Sequence, residues 1–231
     1  MTVESRVLAA LGTVYDPELD EPITTLGFVG SCVVTAEGDV EIRLRLPTPQ
    51  CAPNFAFLMA ADARNAVRRL PEVRDVTVVL EDHYTGEEIN AAVERGAGFD
   101  SAFPGETRGD LDALRELFRR KALLARQARV CQAMLDGGES PETVVARRVA
   151  DLPDTADAER GVALRAALGL PHGDDAPALI AGDGAALTAA DLPMWLRRAR
   201  LVSLSLETNG SMCRDLLRVR YGQAETEEVA S

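Results

Sequence analysis

The chain has 231 residues, of which 46% are hydrophobic and 27% charged, and it carries a formal net charge of −12. This is the composition of a globular protein long enough to bury a core in one or two domains. The acidic balance argues against nucleic acid as a partner, because a nucleic-acid binder presents a basic face.

Residues 3–14 carry Val3, Val7, Leu8, Leu11 and Val14 at helical spacing, and Asp16-Pro17 ends that pattern. Two strand-like runs follow, Phe28–Thr35 and Val40–Leu46, around a turn at 36–39. In the second run Val40, Ile42, Leu44 and Leu46 alternate with Glu41, Arg43 and Arg45, the signature of a half-buried strand. Asn54 is placed to cap a helix that runs to about Arg69, Pro71 stops it, and Val73–Leu80 reads as a third strand. The strand–helix–strand link allows a parallel pairing of the second and third strands.

Thr85-Gly86-Glu87-Glu88 has the form of a capping box opening a short helix, and the glycine-rich stretch 96–109 reads as a linker. A long helix is expected from Asp110 to about Asp136, with Leu114, Leu117, Leu124, Ala128, Cys131 and Leu135 facing a partner layer. Helices at Ser140-Pro141-Glu142, 156–168 and 188–200 are expected next, and short strands at Ala178–Ile180 and Val202–Leu206. Asn209-Gly210-Ser211 reads as a turn into a last helix carrying Cys213, with a frayed tail from Gln223.

The expected fold class is therefore α/β (α+β). A two-layer α-β-β-α-β domain over 1–84 precedes a helical extension over 85–150 and a mainly helical region over 151–231. No apolar run is long enough to span a bilayer, so no membrane is expected. The N-terminus shows no export signal, and the four cysteines are widely spaced, which suggests the reducing cytoplasm.

The chemistry-bearing candidate is Cys51, between the second strand and the following helix in Leu46-Pro47-Thr48-Pro49-Gln50-Cys51-Ala52-Pro53-Asn54. A helix N-terminus favours the thiolate, which is the nucleophile and metal ligand. The plain alternative is a small buried side chain. Asp16 and Glu18 offer oxygen ligands or a base, or else close a turn through backbone bonds. Cys213 is a candidate second thiol, or a residue packed in a helical turn. Cys32 and Cys131 read as core. No Cys-x-x-Cys pair and no closely spaced histidine pair exists, which excludes a zinc ribbon by pattern. Glu81-Asp82-His83 offers a mixed carboxylate and imidazole set, or a solvated strand exit.

Taken together, the first helix, Asp16-Pro17-Glu18-Leu19, Leu26-Gly27, the hairpin, the Thr48–Cys51 segment and Val73-Arg74-Asp75-Val76 resemble a known family. It is the metal–sulfur cluster assembly domain shared by SufT-like and PaaD-like proteins and cytosolic iron–sulfur targeting factors. The resemblance covers about the first third of the chain. It implies a small α/β domain, often dimeric, that assists maturation of iron–sulfur or other metal centres. It also implies that Cys51 is reactive and that Asp16, Glu18 and Thr48 lie near it. Ala52 stands where the family has proline, and Glu81–Tyr84 replaces its aromatic, proline-rich ending.

The leading expectation is thus a non-enzymatic assembly factor, holding iron or an iron–sulfur cluster transiently on Cys51. Partners would be a client metalloenzyme apoprotein, conceivably an oxygenase, and other assembly factors. Ligands shared across a homodimer are easier to build than a closed site from distant cysteines. The alternatives are a metal-free scaffold for a partner enzyme and a thiol enzyme using Cys51.

Overall fold

The computed structural model describes residues 2–105 and 111–222. The starting residue expected for the long helix, Asp110, and the tail from Gln223 lie outside them. The chain forms two compact units, one from residues 1–111 with 208–231 and one from residues 112–207. These borders fall at other positions than 84 and 150.

In the first unit, α1 (Val3–Leu11) is capped by the Thr2 side chain, which accepts from the Ser5 N–H, and it buries Val7 and Leu11. β1 (Val29–Val34) and β2 (Asp39–Arg45) pair antiparallel, and β3 (Asp75–Glu81) pairs with β2 in parallel. The strand order is β1-β2-β3. Register sets Val40, Ile42 and Leu44 opposite Val76, Val78 and Leu80, and all six are buried. The polar residues between them face outward, as the alternation requires. At the hairpin, Gly38 has a φ of +88°, and a Cβ there would stand 2.6 Å from the Glu72 carbonyl oxygen. Only glycine fits that turn.

α2 (Pro53–Arg68) links β2 to β3 and buries Phe57, Met59, Ala60, Ala63 and Val67 in the same core as Phe28, Ile42 and Ile89. The helix begins with proline at its first position and has no side-chain cap; Asn54 accepts from Phe55 N–H instead of capping. α3 (Gly86–Glu94) forms where expected, but without a capping box, since Thr85 makes no capping bond. The stretch expected as a linker includes a short α4 (Phe99–Ala102), whose Phe99 ring packs edge-on to Phe57 at 5.4 Å.

The second unit holds α5 (Asp112–Asp136), α6 (Pro141–Ala146), a 3₁₀ turn at Val149–Asp151 and α7 (Ala156–Ala167). Its core gathers Val130, Cys131, Met134, Val144, Leu179 and Leu192, with Trp195 partly buried against it. The buried stripe of α5 is rotated from the expected one. Ala122, Leu123, Ala125, Ala128, Val130, Cys131 and Met134 are inside, whereas Leu117 is half exposed. Much of the buried face of α5 is alanine, at Ala122, Ala125 and Ala128. Ala178–Ile180 makes only an isolated bridge, Ile180 to Ala186.

The largest departure is α8 (Leu192–Tyr221), one helix of 30 residues. It replaces the strand expected at Val202–Leu206 and the separate helix expected after Asn209–Ser211. A strand there would be half buried, yet Leu204 is 61% exposed. No proline follows Pro193, so the backbone bonds continue without a break. Residues up to 207 belong to the second unit and residues from 208 to the first. Among the described residues no helix is long and apolar enough to cross a membrane.

Candidate functional site

The site lies in the first unit, where three pieces of backbone meet. One is the loop from Leu46 to Ala52, which leaves β2 and enters α2. Cys51 is half-buried there, directly before the Ala52 cap position and Pro53. Its N–H donates to Thr48 O at 3.4 Å, and Thr48 Oγ1 stands 3.5 Å from Cys51 Sγ. A hydroxyl at that range can accept from a thiol or donate to a thiolate, so it follows either state.

His83 lies against this loop. Its Nε2 is 2.7 Å from the Cys51 carbonyl oxygen, and since a carbonyl only accepts, Nε2 carries the proton. Nδ1 then accepts from the Thr85 N–H at 3.3 Å. Tyr84 N–H donates to Pro49 O at 3.0 Å. Nε2 and the Tyr84 N–H therefore hold the backbone that presents Cys51, and Nδ1 closes the ring's own turn at Thr85. Glu81, the neighbour that made a mixed metal set conceivable, is bonded to Arg43 at 3.0 Å and Arg45 at 2.7 Å.

The second piece is the turn after α1. Asp16 is 7% exposed, and its Oδ1 accepts from Glu18 N–H and Leu19 N–H, each at 2.8 Å. Burial pushes its carboxyl up from the ordinary 3.8 to about 6, against those two bonds and with the help of the Glu18 and Glu21 charges. Asp16 thus closes a turn and also keeps a carboxyl titrating close to neutral pH.

The third piece is the end of α8, residues 208–221. Asn209 donates to Glu18 Oε1 at 3.3 Å, and Arg214 donates to Glu21 Oε2 at 2.8 Å. Leu217 comes within 3.3 Å of where a Cβ on Gly27 would stand. Arg220 donates to Leu46 O at 3.1 Å and Asp82 O at 2.8 Å. Tyr221 donates to Asp82 at 3.2 Å and has the Arg45 guanidinium 5.2 Å from its ring centre.

Cys213 sits within this stretch, half-buried and packed on the same core as Cys51. Burial pushes its thiol up to about 11, and the charges of Asp16, Cys51 and Glu18 push the same way. The fold thus gathers Cys51, Thr48, Asp16, Glu18 and Cys213, and sets His83 under the loop. Sequence reasoning missed Asn209, Arg214, Arg220 and Tyr221, because nothing local marks an arginine that bonds across almost two hundred positions. Cys131 is fully buried and Cys32 partly buried, both in apolar packing. Among the described residues, no three His, Cys, Asp or Glu side chains converge as a metal-holding group. Chemically, the arrangement offers a soft thiol ligand, a second thiol and hard carboxylates without a closed cage.

Comparison with known proteins bears on the same unit. Residues 4–80 match a family described as iron-sulfur cluster assembly protein. An uncharacterized protein of Methanocaldococcus jannaschii is 36% identical over 90 residues, which is 39% of this chain and 93% of that protein. An iron-sulfur cluster carrier protein of Deinococcus radiodurans is 34% identical over 77 residues, 33% of this chain and 21% of that protein.

Proposed function

We propose that this chain, which belongs through its N-terminal unit to the iron–sulfur cluster assembly protein family, carries iron or an iron–sulfur cluster as cargo on Cys51 and passes it to an acceptor apoprotein. A general role in cluster assembly or carriage accompanies the family. The observation that carries the finer reading is the placement of Cys51 on a hydrogen-bonded loop before a helix, beside a hydroxyl and without a ready-made cage. A permanent cluster is held by several thiolates, commonly four. A site with fewer ligands binds, but leaves positions through which an acceptor can take over.

Each neighbour has a task in that scheme. Thr48 offers its hydroxyl to the thiolate, and His83 fixes the loop through the Cys51 carbonyl. Asp16, titrating near pH 6, can take up the proton that a thiol releases when it binds metal. The second unit would recognise the client. Leu201 and Leu204 stand 68% and 61% exposed there, offering apolar surface to an apoprotein such as a metal-dependent oxygenase. A metal-free scaffold is the second reading, favoured by the engagement of Glu18 and Glu21 with Asn209 and Arg214.

Anaerobic reconstitution with iron and sulfide separates the two. The wild-type chain should take up both and develop visible absorbance, and Cys51→Ala should fall about tenfold or more. Loss of a direct ligand should exceed the roughly 10-fold to 100-fold effect of an outer-shell change. Equal uptake by both forms would remove Cys51 from the function and leave the scaffold reading.

A further inference from the structure

We infer that Cys213 is a second cargo ligand, delivered to Cys51 by the terminal segment of α8, so that one chain presents two thiolates to a soft metal ion or cluster. This rests on the reading of Cys51 as the cargo thiol and adds a ligand from outside residues 4–80.

The placement follows from helix periodicity. Asn209, Cys213 and Leu217 are spaced four apart and share one face of α8, with Arg220 continuing it. The two outer members are fixed: Asn209 on Glu18, and Leu217 against Gly27. Arg214, next to Cys213, is fixed on Glu21. Further along, Arg220 is bonded to Leu46 O, where the loop to Cys51 begins. Cys213 therefore lies between the Asp16–Glu21 turn and the start of the Cys51 loop.

Cys213 packs on an apolar core as Cys131 does, but differs in what else faces it. At Cys131, burial alone acts on the thiol among apolar neighbours. Cys213 instead stands within electrostatic reach of Asp16, Glu18 and Cys51. Two thiolates select soft or borderline metals such as Fe(II), Zn(II) or Cd(II). The archaeal relative is matched over 93% of its length by 90 residues, too few to span both Cys51 and Cys213. The second thiol is thus a feature of the longer chain. With two of about four cluster positions filled in this way, the others remain for an acceptor's thiolates.

The test uses the reduced full-length chain and Cd(II) alone, whose thiolate charge-transfer band grows with each bound sulfur. The wild-type chain should bind with a two-thiolate band, Cys213→Ser and Cys51→Ser should each keep about half of it or less, and the double variant should lose it. Cys32→Ser should keep it all. An undiminished band in Cys213→Ser, with loss in Cys51→Ser, would overturn this inference and leave Cys51 standing. An undiminished band in Cys51→Ser would overturn the parent reading. Should Cys213→Ser fail to fold, a phenylarsenic(III) reagent on the wild-type chain decides the matter. Such a reagent bridges two close thiols with loss of water. A Cys51–Cys213 bridge in the peptide map supports the pair, and arsenic on other or single cysteines overturns it.

Discussion

Replacing Arg165 by alanine is expected to cost the second unit about 2–5 kcal/mol, the range for a large-to-small change that opens a cavity and leaves buried acceptors unmet. Arg165 is 1% exposed on α7, and burial pulls its guanidinium down to about 10, so it remains charged at neutral pH. Its neighbours are neutral acceptors. It donates to Pro177 O at 2.8 Å, to Ala178 O and to Gln127 Oε1, while its Nε makes no hydrogen bond. Gln127 in turn accepts from Ile180 N–H at 3.0 Å, so one network ties α5 and α7 to the 177–180 segment. Alanine would take the guanidinium donors from the Pro177 and Ala178 carbonyls, leave Gln127 Oε1 with the Ile180 N–H alone, and open a cavity. Methionine at 165 would fill the space and remove the desolvation of a charge, so it should cost less than alanine. Trp195, the single tryptophan, packs on this unit's core and reports its urea transition. A midpoint for Arg165→Ala within error of wild type would show the network to be dispensable.

Asp16→Asn is expected to stabilise the first unit at pH 7. The carboxyl rises from 3.8 to about 6 on folding because burial disfavours its charge. The folded state therefore holds this proton more tightly than the unfolded state does. As far as this group is concerned, stability is greatest below about pH 4 and falls as pH rises from about 4 to 6. At ~1.4 kcal/mol per pH unit, the cost above that window is about 3 kcal/mol. Asparagine keeps the Oδ1 that accepts from Glu18 and Leu19 and carries no charge. The gain should approach that size at pH 7 and vanish near pH 4. Asp16→Ala should instead lose about 1–3 kcal/mol at pH 4, because two backbone donors go unmet, and come close to wild type at pH 7, where it also removes the buried charge. Urea titrations followed by circular dichroism at pH 4 and 7 check this, and a less stable Asp16→Asn at pH 7 would contradict it. A charge kept at such a cost beside Cys213 fits a site selected for chemistry over stability.

The small unit was legible because its signals are local. Alternation in β2 assigned the two faces, Pro71 marked the end of α2, and the spacing of the motifs carried the family, whereas α1 stops at Leu11 with Gly12 as its cap, short of the expected residue 14. The α8 helix was not legible, because Val202, Leu204 and Leu206 fit a period of two while their tertiary setting is helical. Asn209-Gly210-Ser211 has turn composition, yet Gly210 lies inside the helix. A Cβ there would stand 3.0 Å from Glu21 Oε1, so the missing side chain leaves room for the Glu21–Arg214 pair. The helix accepts this glycine at a cost of about 1 kcal/mol relative to alanine. The phase of α5 was also hidden, since a seam lined by alanine does not stand out against flanking leucines. Cys51 was singled out as a candidate from sequence alone. The partners that α8 brings to its turn and loop came only from the fold.

Cluster transfer tests the central claim most directly. The wild-type chain, reconstituted anaerobically, is mixed with an apo-ferredoxin and a strong iron chelator, and holo-ferredoxin is followed over time. A cargo site of two thiolates predicts that the cluster moves to the acceptor faster than the chelator can take the iron. A cluster that stays on this chain, or reaches the acceptor only when no chelator is present, would contradict a carrier role.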